Sequence, residues 1–576
     1  MKKLWFLASI FIAFNAKAQL FLTPYEKSKG NETATYAETI EFYQRLDAAS
    51  PKVTLKTMGA TDAGLPLHLV MVSTDGSADP AQWHRQNKAV LLIINGIHPG
   101  EPDGVDASMM LVRDIVTGKK ILPTGTALAI IPIYNIGGAL NRSETYRVDQ
   151  NGPNAFGGRG NAQNLDLNRD FIKCDSKDAL SFADLFHYVQ PDILIDNHVS
   201  NGADYQHTMT LLTTQHSKLG GEMGKYLNQV FEPAIYAAMK KKGYDLIPYV
   251  NAFGDNPASG WSAYWDGPRY SSGYAALWQS FSFVPETHML KPYPERVAAT
   301  GALMDCFIEY ADVHRTNIKT IRANALKQQI NQTEFPISWR INKNEWSEIF
   351  FKGYTPLRKD SEVSGLPRLY YDRNKPFDMQ VKFFNFFEPN LVIKKPLAYV
   401  IPKGWWKVIE RLQANRITMR QLKNDSTIWV EVYRIEDYKS SPRPYEGHHP
   451  NSEVKVSASV KEVKFRKGDW YIPMNQKGNR FLMEVLEPQG DDSYFAWNFF
   501  DPILQQKEGY SSYAFEDIAA SLLREHPEWQ TKLNEKRNSD TAFAKNAAAQ
   551  LNFVYQLSPY YEKEHLRYPV FRVVSK

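Results

Sequence analysis

Cysteine is nearly missing from this chain: its 576 residues hold only Cys174 and Cys306. Two thiols close at most one bridge, so a fold built on disulfides is excluded, and a chain this long can bury a core without them. Net charge is scarce too, with 68 basic residues facing 63 acidic ones. That balance gives no reason to expect a nucleic-acid partner. Beyond the first residues no run is long and apolar enough to span a bilayer, which takes about 20 residues. Stable membrane insertion is therefore not expected. The G-x-S-x-G of serine hydrolases and the H-E-x-x-H of one metallopeptidase class are both absent. Gly158-Arg-Gly160-Asn-Ala-Gln163 misses a dinucleotide fingerprint at its last position and sits in a loop context.

What is present begins with "MKKLWFLASIFIAFNAKA", residues 1–18. Two lysines, an apolar stretch from Leu4 to Phe14 and a closing Ala16-Lys17-Ala18 have the form of a signal peptide, so export to the periplasm or beyond is expected. Cleavage removes Lys2, Lys3 and Lys17 and no acid, leaving 65 basic residues against 63.

Residues 19–322 read as one α/β domain. A helix is expected over Thr35–Ser50 and a strand at "LPLHLVMVS". "AVLLIING", "TALAIIPIYN", "PDILIDNH" and "FSFVPETH" are apolar runs that each end in a polar or charged group. Strands apolar on both faces belong inside a mixed, mostly parallel sheet covered by helices, and Asp103–Gly118 has the pattern of one cover helix. Ligands of open α/β sheets sit beyond the carboxyl ends of the strands, where these polar termini fall. Residues 323–490 read as a β-rich accessory domain from short runs such as "PRLYYD", "MQVKFF", "STIWVEVYRI" and "NRFLMEVLEP", interrupted by the helix-like "KGWWKVIERLQAN". Residues 491–576 read as a mixed α/β segment packed on it, helical from about 515 to 551.

Among 13 histidines only His98 is followed three residues later by a glutamate, Glu101. A neutral imidazole and a carboxylate on one tight loop can share a zinc ion at about 2.0–2.2 Å, with Pro99-Gly100 shaping the turn. A catalytic zinc needs one more protein ligand and room for water. His198 closes an apolar strand and suits that role better than His207, which lies farther into a polar loop. Glu286 ends another apolar strand, and a second carboxylate beside such a site is the type of group that serves as general base. Asn168-Arg169 sets an amide beside a planar guanidinium, a pairing suited to bidentate capture of a carboxylate.

Taken in order, His98-x-x-Glu101, Arg147, Asn168-Arg169, His198 and Glu286 resemble the zinc carboxypeptidase family, the carboxypeptidase A type of metallopeptidase. The resemblance spans residues of about 35 to 315, and "LDLNRDF" and "ETHMLKPY" look like its bacterial branches. It implies one zinc ion per chain on His98, Glu101 and His198, and Glu286 as base. It also implies Arg147 as the oxyanion partner and Asn168 with Arg169 at the terminal carboxylate of a peptide or cell-wall peptide. Asp166 would orient the first zinc histidine. Val199 stands where the family usually has serine. The mobile tyrosine of the family matches Tyr264, Tyr270 or Tyr274, with Tyr270 preferred.

Two other functions compete. Related zinc enzymes remove acyl groups from amino acids with the same two-histidine, one-glutamate set. A secreted glycan- or peptide-binding protein would instead use the aromatic C-terminal half, with Trp405, Trp406, Trp429, Trp470 and Trp497.

Overall fold

The computed structural model describes residues 21–575 apart from 254 and 255, so the expected signal peptide at 1–18 lies outside the described residues. The N-terminal half is organised by a nine-stranded sheet: β1 (Val53–Ala60), β2 (Pro66–Val72), β3 (Ala89–Ile94), β4 (Thr126–Ile131), β5 (Ile193–Asp196), β6 (His198–Ser200), β7 (Met209–Thr213), β8 (Ile247–Pro248) and β9 (Phe281–His288). Their spatial order is β1-β2-β4-β3-β5-β9-β7-β8, with β6 pairing β9. The β4-β3-β5-β9 centre is parallel, whereas β1, β2 and the β9-β7 contact are antiparallel. The mixed α/β fold with a mostly parallel sheet is as the apolar runs suggested, because β3 and β4 are buried at every position and need apolar side chains on both faces.

Helices cover that sheet. α1 (Tyr36–Ala49) starts at a capping box of Thr35 and Glu38. α2 (Asp103–Thr117) ends on the left-handed Gly118. α3 (Lys177–Val189) starts at a Ser176 cap, and α4 (Tyr293–Asn331) runs straight across residue 322, where the sequence reading set a boundary. Residues 323–331 still belong to this helix, and the chain enters its next strand at Glu334. Cys174 and Cys306 are both free and buried.

The C-terminal half is built from two long hairpins. In the first, β10 (Ser347–Asp360) pairs with β11 (Pro367–Phe384). In the second, β12 (Ser426–Ser440) pairs with β13 (Asn451–Phe465), inside a six-stranded sheet that also takes in β14 (Phe571–Val573) from the chain's end. One expected strand is a helix: "NRFLMEVLEP" forms α5 over Asn479–Leu486, with all eight residues buried. Its apolar residues alone fit either element, but Arg480 and Glu484, four apart, pair at 3.1 Å along one helix face.

The two halves share one core. Leu92, Ile94 and Tyr274 belong to the same buried cluster as Tyr399, Leu412 and Phe481. Among the described residues no helix is long and apolar enough to cross a membrane.

Candidate metal centre and substrate cleft

The chemistry-bearing side chains stand at the carboxyl ends of β3, β5 and β9. After Ile94 the chain turns tightly, with the Glu101 amide donating to the His98 carbonyl at 2.8 Å. Gly100 is required there by close approach: a Cβ would lie 2.8 Å from the Arg147 side chain and 3.1 Å from the Gly157 carbonyl. The turn brings His98 and Glu101 to one side, both nearly fully buried. β5 breaks at Asn197 and resumes as β6, whose first residue, His198, is the register partner of Glu286 on β9. Parallel pairing therefore sets the third ligand candidate beside the base candidate.

His98, Glu101 and His198 offer ligand atoms that all lie within 4.8 Å of one another, and the two imidazole rings have centroids 5.0 Å apart. His98 Nε2 donates to Asp166 Oδ1 at 2.9 Å. Its Nδ1 is buried without a hydrogen-bond partner and faces Glu101 Oε1 at 3.3 Å. In His198 the hydrogen bond is on the other side: Nδ1 bonds Glu101 Oε2 at 3.0 Å, and Nε2, without a hydrogen bond, lies 3.0 Å from Asp196 Oδ2. Each histidine thus has a carboxylate beside one ring nitrogen, hydrogen-bonded in His98 and at ion-pair distance in His198, with the other nitrogen turned toward Glu101. Two imidazoles and one carboxylate so disposed fit a zinc ion, and the carboxylates behind them fix ring orientation and raise ligand basicity.

Asp196 was missed by sequence reasoning. The signal was there, an aspartate two residues before the second histidine in "ILIDNH", a spacing that sets both side chains on one face of an extended chain. Asp196 is fully buried and accepts from Ser271 Oγ at 2.6 Å.

Charge is concentrated at this point. Burial alone would raise the Glu101 carboxyl, but the Arg147 guanidinium, His98 and the His198 hydrogen bond outweigh it and hold that carboxyl well below the usual range. Burial likewise opposes charge on His198, and Asp196 with Glu101 overcomes it and raises the imidazole. Glu286 goes the other way. Burial pushes its carboxyl up to about 8, Glu101 adds to the rise, and His198 and Arg147 oppose it. The pair of carboxylates is driven apart, one fixed as an anion and the other able to take a proton near neutrality.

Arg147 comes from the loop after β4, pinned by Gln150, which donates to the Gly100 carbonyl at 2.8 Å. Arg147 Nη1 donates to Glu101 Oε1 at 2.6 Å and Nη2 to the Val199 carbonyl at 3.1 Å. Asp166 shapes the next element as well as holding His98, since its Oδ1 accepts from the Asn168 amide at 2.9 Å and so caps the short turn Leu167–Arg169.

These groups open onto one cavity of about 350 Å³, lined by His98, Glu101, Arg147, Asn168, Arg169, His198 and Glu286, with Tyr249, Tyr264 and Tyr270 among the other walls. Tyr270 lies under the Arg169 guanidinium at 4.6 Å and takes a short hydrogen bond from the Tyr264 hydroxyl. Tyr274 is elsewhere: it is fully buried and donates to Asn415 at 2.6 Å, a core residue and not a cap for the cavity. His207 is also outside the cluster, fixed between the Asp245 carbonyl and the Lys352 amide.

With the geometry in place, comparison with known proteins adds a family. Residues 39–189 match the zinc carboxypeptidase family model. His98, Glu101, Arg147, Asp166, Asn168 and Arg169 fall inside the matched stretch, and His198, Tyr270 and Glu286 follow it. The chain is 21% identical over 488 residues to Carboxypeptidase 2 of Trichophyton rubrum, across 81% of this chain and 84% of that protein. Its counterpart in Trichophyton equinum is likewise 21% identical, over 490 residues. Among solved structures, a metallo-carboxypeptidase from Burkholderia cenocepacia is 17% identical with a TM-score of 0.36, covering 48% of this chain and 68% of that one. The carboxypeptidase A of Helicoverpa armigera has a TM-score of 0.34 at 16% identity, covering 55% of this chain and 80% of its own.

Proposed function

We propose that the chain is an exported zinc-dependent carboxypeptidase that removes C-terminal residues from peptides, including cell-wall peptides. The observation that supports this reading most is the convergence of His98 Nδ1, Glu101 and His198 with Glu286 in the adjacent register position, all facing the cavity that Asn168 and Arg169 also line. Export rests on the form of residues 1–18 alone.

His98, Glu101 and His198 would hold the zinc, which when bound acidifies water and polarises the scissile carbonyl. Glu286 accepts a water proton on its carboxylate and delivers it to the departing amine nitrogen, a task matched by a carboxyl lifted toward neutrality. Arg147 lies close enough to the metal ligands to pair with the negative charge that develops on the carbonyl oxygen. Asn168 and Arg169 receive the substrate's terminal carboxylate, and Tyr270, which lines the same cavity and is hydrogen-bonded to Tyr264, is the tyrosine that covers it. No covalent intermediate is needed.

A digest of unblocked peptides tests the proposal. Purified protein is expected to shorten peptides with a free C-terminal carboxylate one residue at a time, leave their C-terminal amides intact, and lose the activity to a chelator. Internal cleavage, or release of acyl groups from N-acyl amino acids in preference to peptides, would replace the carboxypeptidase reading with the endopeptidase or deacylase one.

A further inference from the structure

We infer that the C-terminal half completes the substrate site, with Tyr445 as a positioning residue that holds Arg169 in place for a carboxylate ligand. This rests on the carboxypeptidase reading of Arg169. The turn joining β12 and β13 leaves its own sheet and reaches the catalytic cleft at two adjacent side chains. Tyr445 Oη accepts from Arg169 Nε at 2.9 Å, and Glu446 Oε2 accepts from the backbone amide of Asp166 at 2.8 Å. Asp166 is the carboxylate behind His98. One turn, 276 positions along the chain from Arg169, therefore touches both the carboxylate-binding arginine and the support of the metal centre.

The contact leaves a specific set of donors free. Arg169 Nη1 also donates to the Asn168 carbonyl at 2.8 Å, and the guanidinium carbon lies over the Tyr270 ring at 4.6 Å. With Nε tied to Tyr445 and one Nη1 hydrogen tied to Asn168, the Nη2 hydrogens have no protein acceptor among the described residues. Nη1 also lies 3.9 Å from Asp166 Oδ2, so the Nη2 hydrogens, with Nη1 beside them, form the edge that suits carboxylate binding. A guanidinium pre-set in this way loses less side-chain entropy when it binds than a swinging one.

Tyr445 is itself braced. Its ring stacks on Trp497 with centroids 6.1 Å apart at 20°. The turn is closed by reciprocal backbone hydrogen bonds between Tyr445 and His448, at 2.7 and 3.0 Å. His448 Nε2 is 2.7 Å from Asp175 Oδ2, which anchors the turn to the N-terminal half. Trp497 Nε1 donates to Asp492, and Asp492 pairs with Arg269 at 2.8 Å, so the brace is tied to the segment that carries Tyr270.

Tyr445→Phe in the full chain removes one hydrogen bond from a side chain that is partly exposed. With an N-acyl dipeptide bearing a free carboxylate, KM is expected to rise about tenfold, the scale of one such bond to a charged group. The kcat should stay within about twofold and the melting temperature should not move. A merely structural contact would shift melting and kcat together. The second measurement is calorimetric binding of phenylalanine against phenylalanine amide, for wild type and variant, expected to show the same tenfold loss for the carboxylate only. If wild type prefers the carboxylate but Tyr445→Phe matches it in both KM and affinity, the inference is overturned and the carboxypeptidase reading stands. If wild type neither hydrolyses the dipeptide nor prefers the carboxylate, both fall.

Discussion

The strands of the two halves are held by different means. In the N-terminal half β3 and β4 are buried at every position, so packing on both faces fixes where each strand ends. The hairpins β10–β11 and β12–β13 expose much of their length. Reacting groups sit at the first kind of strand end, where a shift of an ångström would scatter the metal ligands. The second kind contributes a turn and a set of braces. The difference teaches that the C-terminal half is not a detachable module: it shares a core with the sheet and reaches into the cleft.

That division of labour can be broken from either side. The largest effect belongs to the N-terminal half. Glu286→Gln is expected to lower kcat/KM by about 10²–10⁴ while zinc content and melting temperature hold. A variant with full activity and bound metal would move the proton transfer elsewhere.

A smaller effect belongs to the seam between the halves. His207 Nδ1 donates to the Asp245 carbonyl while Nε2 accepts from the Lys352 amide of β10. Burial lowers this imidazole from 6.5 to about 4, against the opposing pull of Asp245. Because the folded value is depressed, its stabilising contribution is complete above pH 6.5 and is lost as pH falls toward 4. Between pH 7 and 4.5 the loss should reach roughly 2–3 kcal/mol from this one group. Thermal melting across that range should therefore fall more steeply for wild type than for His207→Asn; equal slopes would show that the seam does not titrate through His207.

The same contrast explains what the sequence disclosed. Both-face burial makes β3, β4, β5 and β9 visible as apolar runs, and the polar residues that follow β3 and β5 and end β9 point to the site, so His98, Glu101, His198 and Glu286 were legible. β7 and β8 are short and went unread. α5 was mistaken for a strand on its apolar centre, although Arg480 and Glu484, four residues apart and paired at 3.1 Å, carried the helical period. Asp196, two residues before His198 and so on the same face of the extended chain, was legible by strand period and went unread. Tyr445 had no local signal at all, since a contact across 276 positions is made by tertiary packing and leaves no pattern in its own neighbourhood. Of the tryptophans weighed as glycan contacts, Trp497 is core and braces that tyrosine.

The central claim is that three side chains from two strand ends hold one metal ion. Elemental analysis of dialysed protein, for wild type and for His98→Ala, tests it most directly. One zinc per chain in wild type and none in the variant is the expected result; a variant that keeps its zinc, or a wild type that never binds any, would contradict the account.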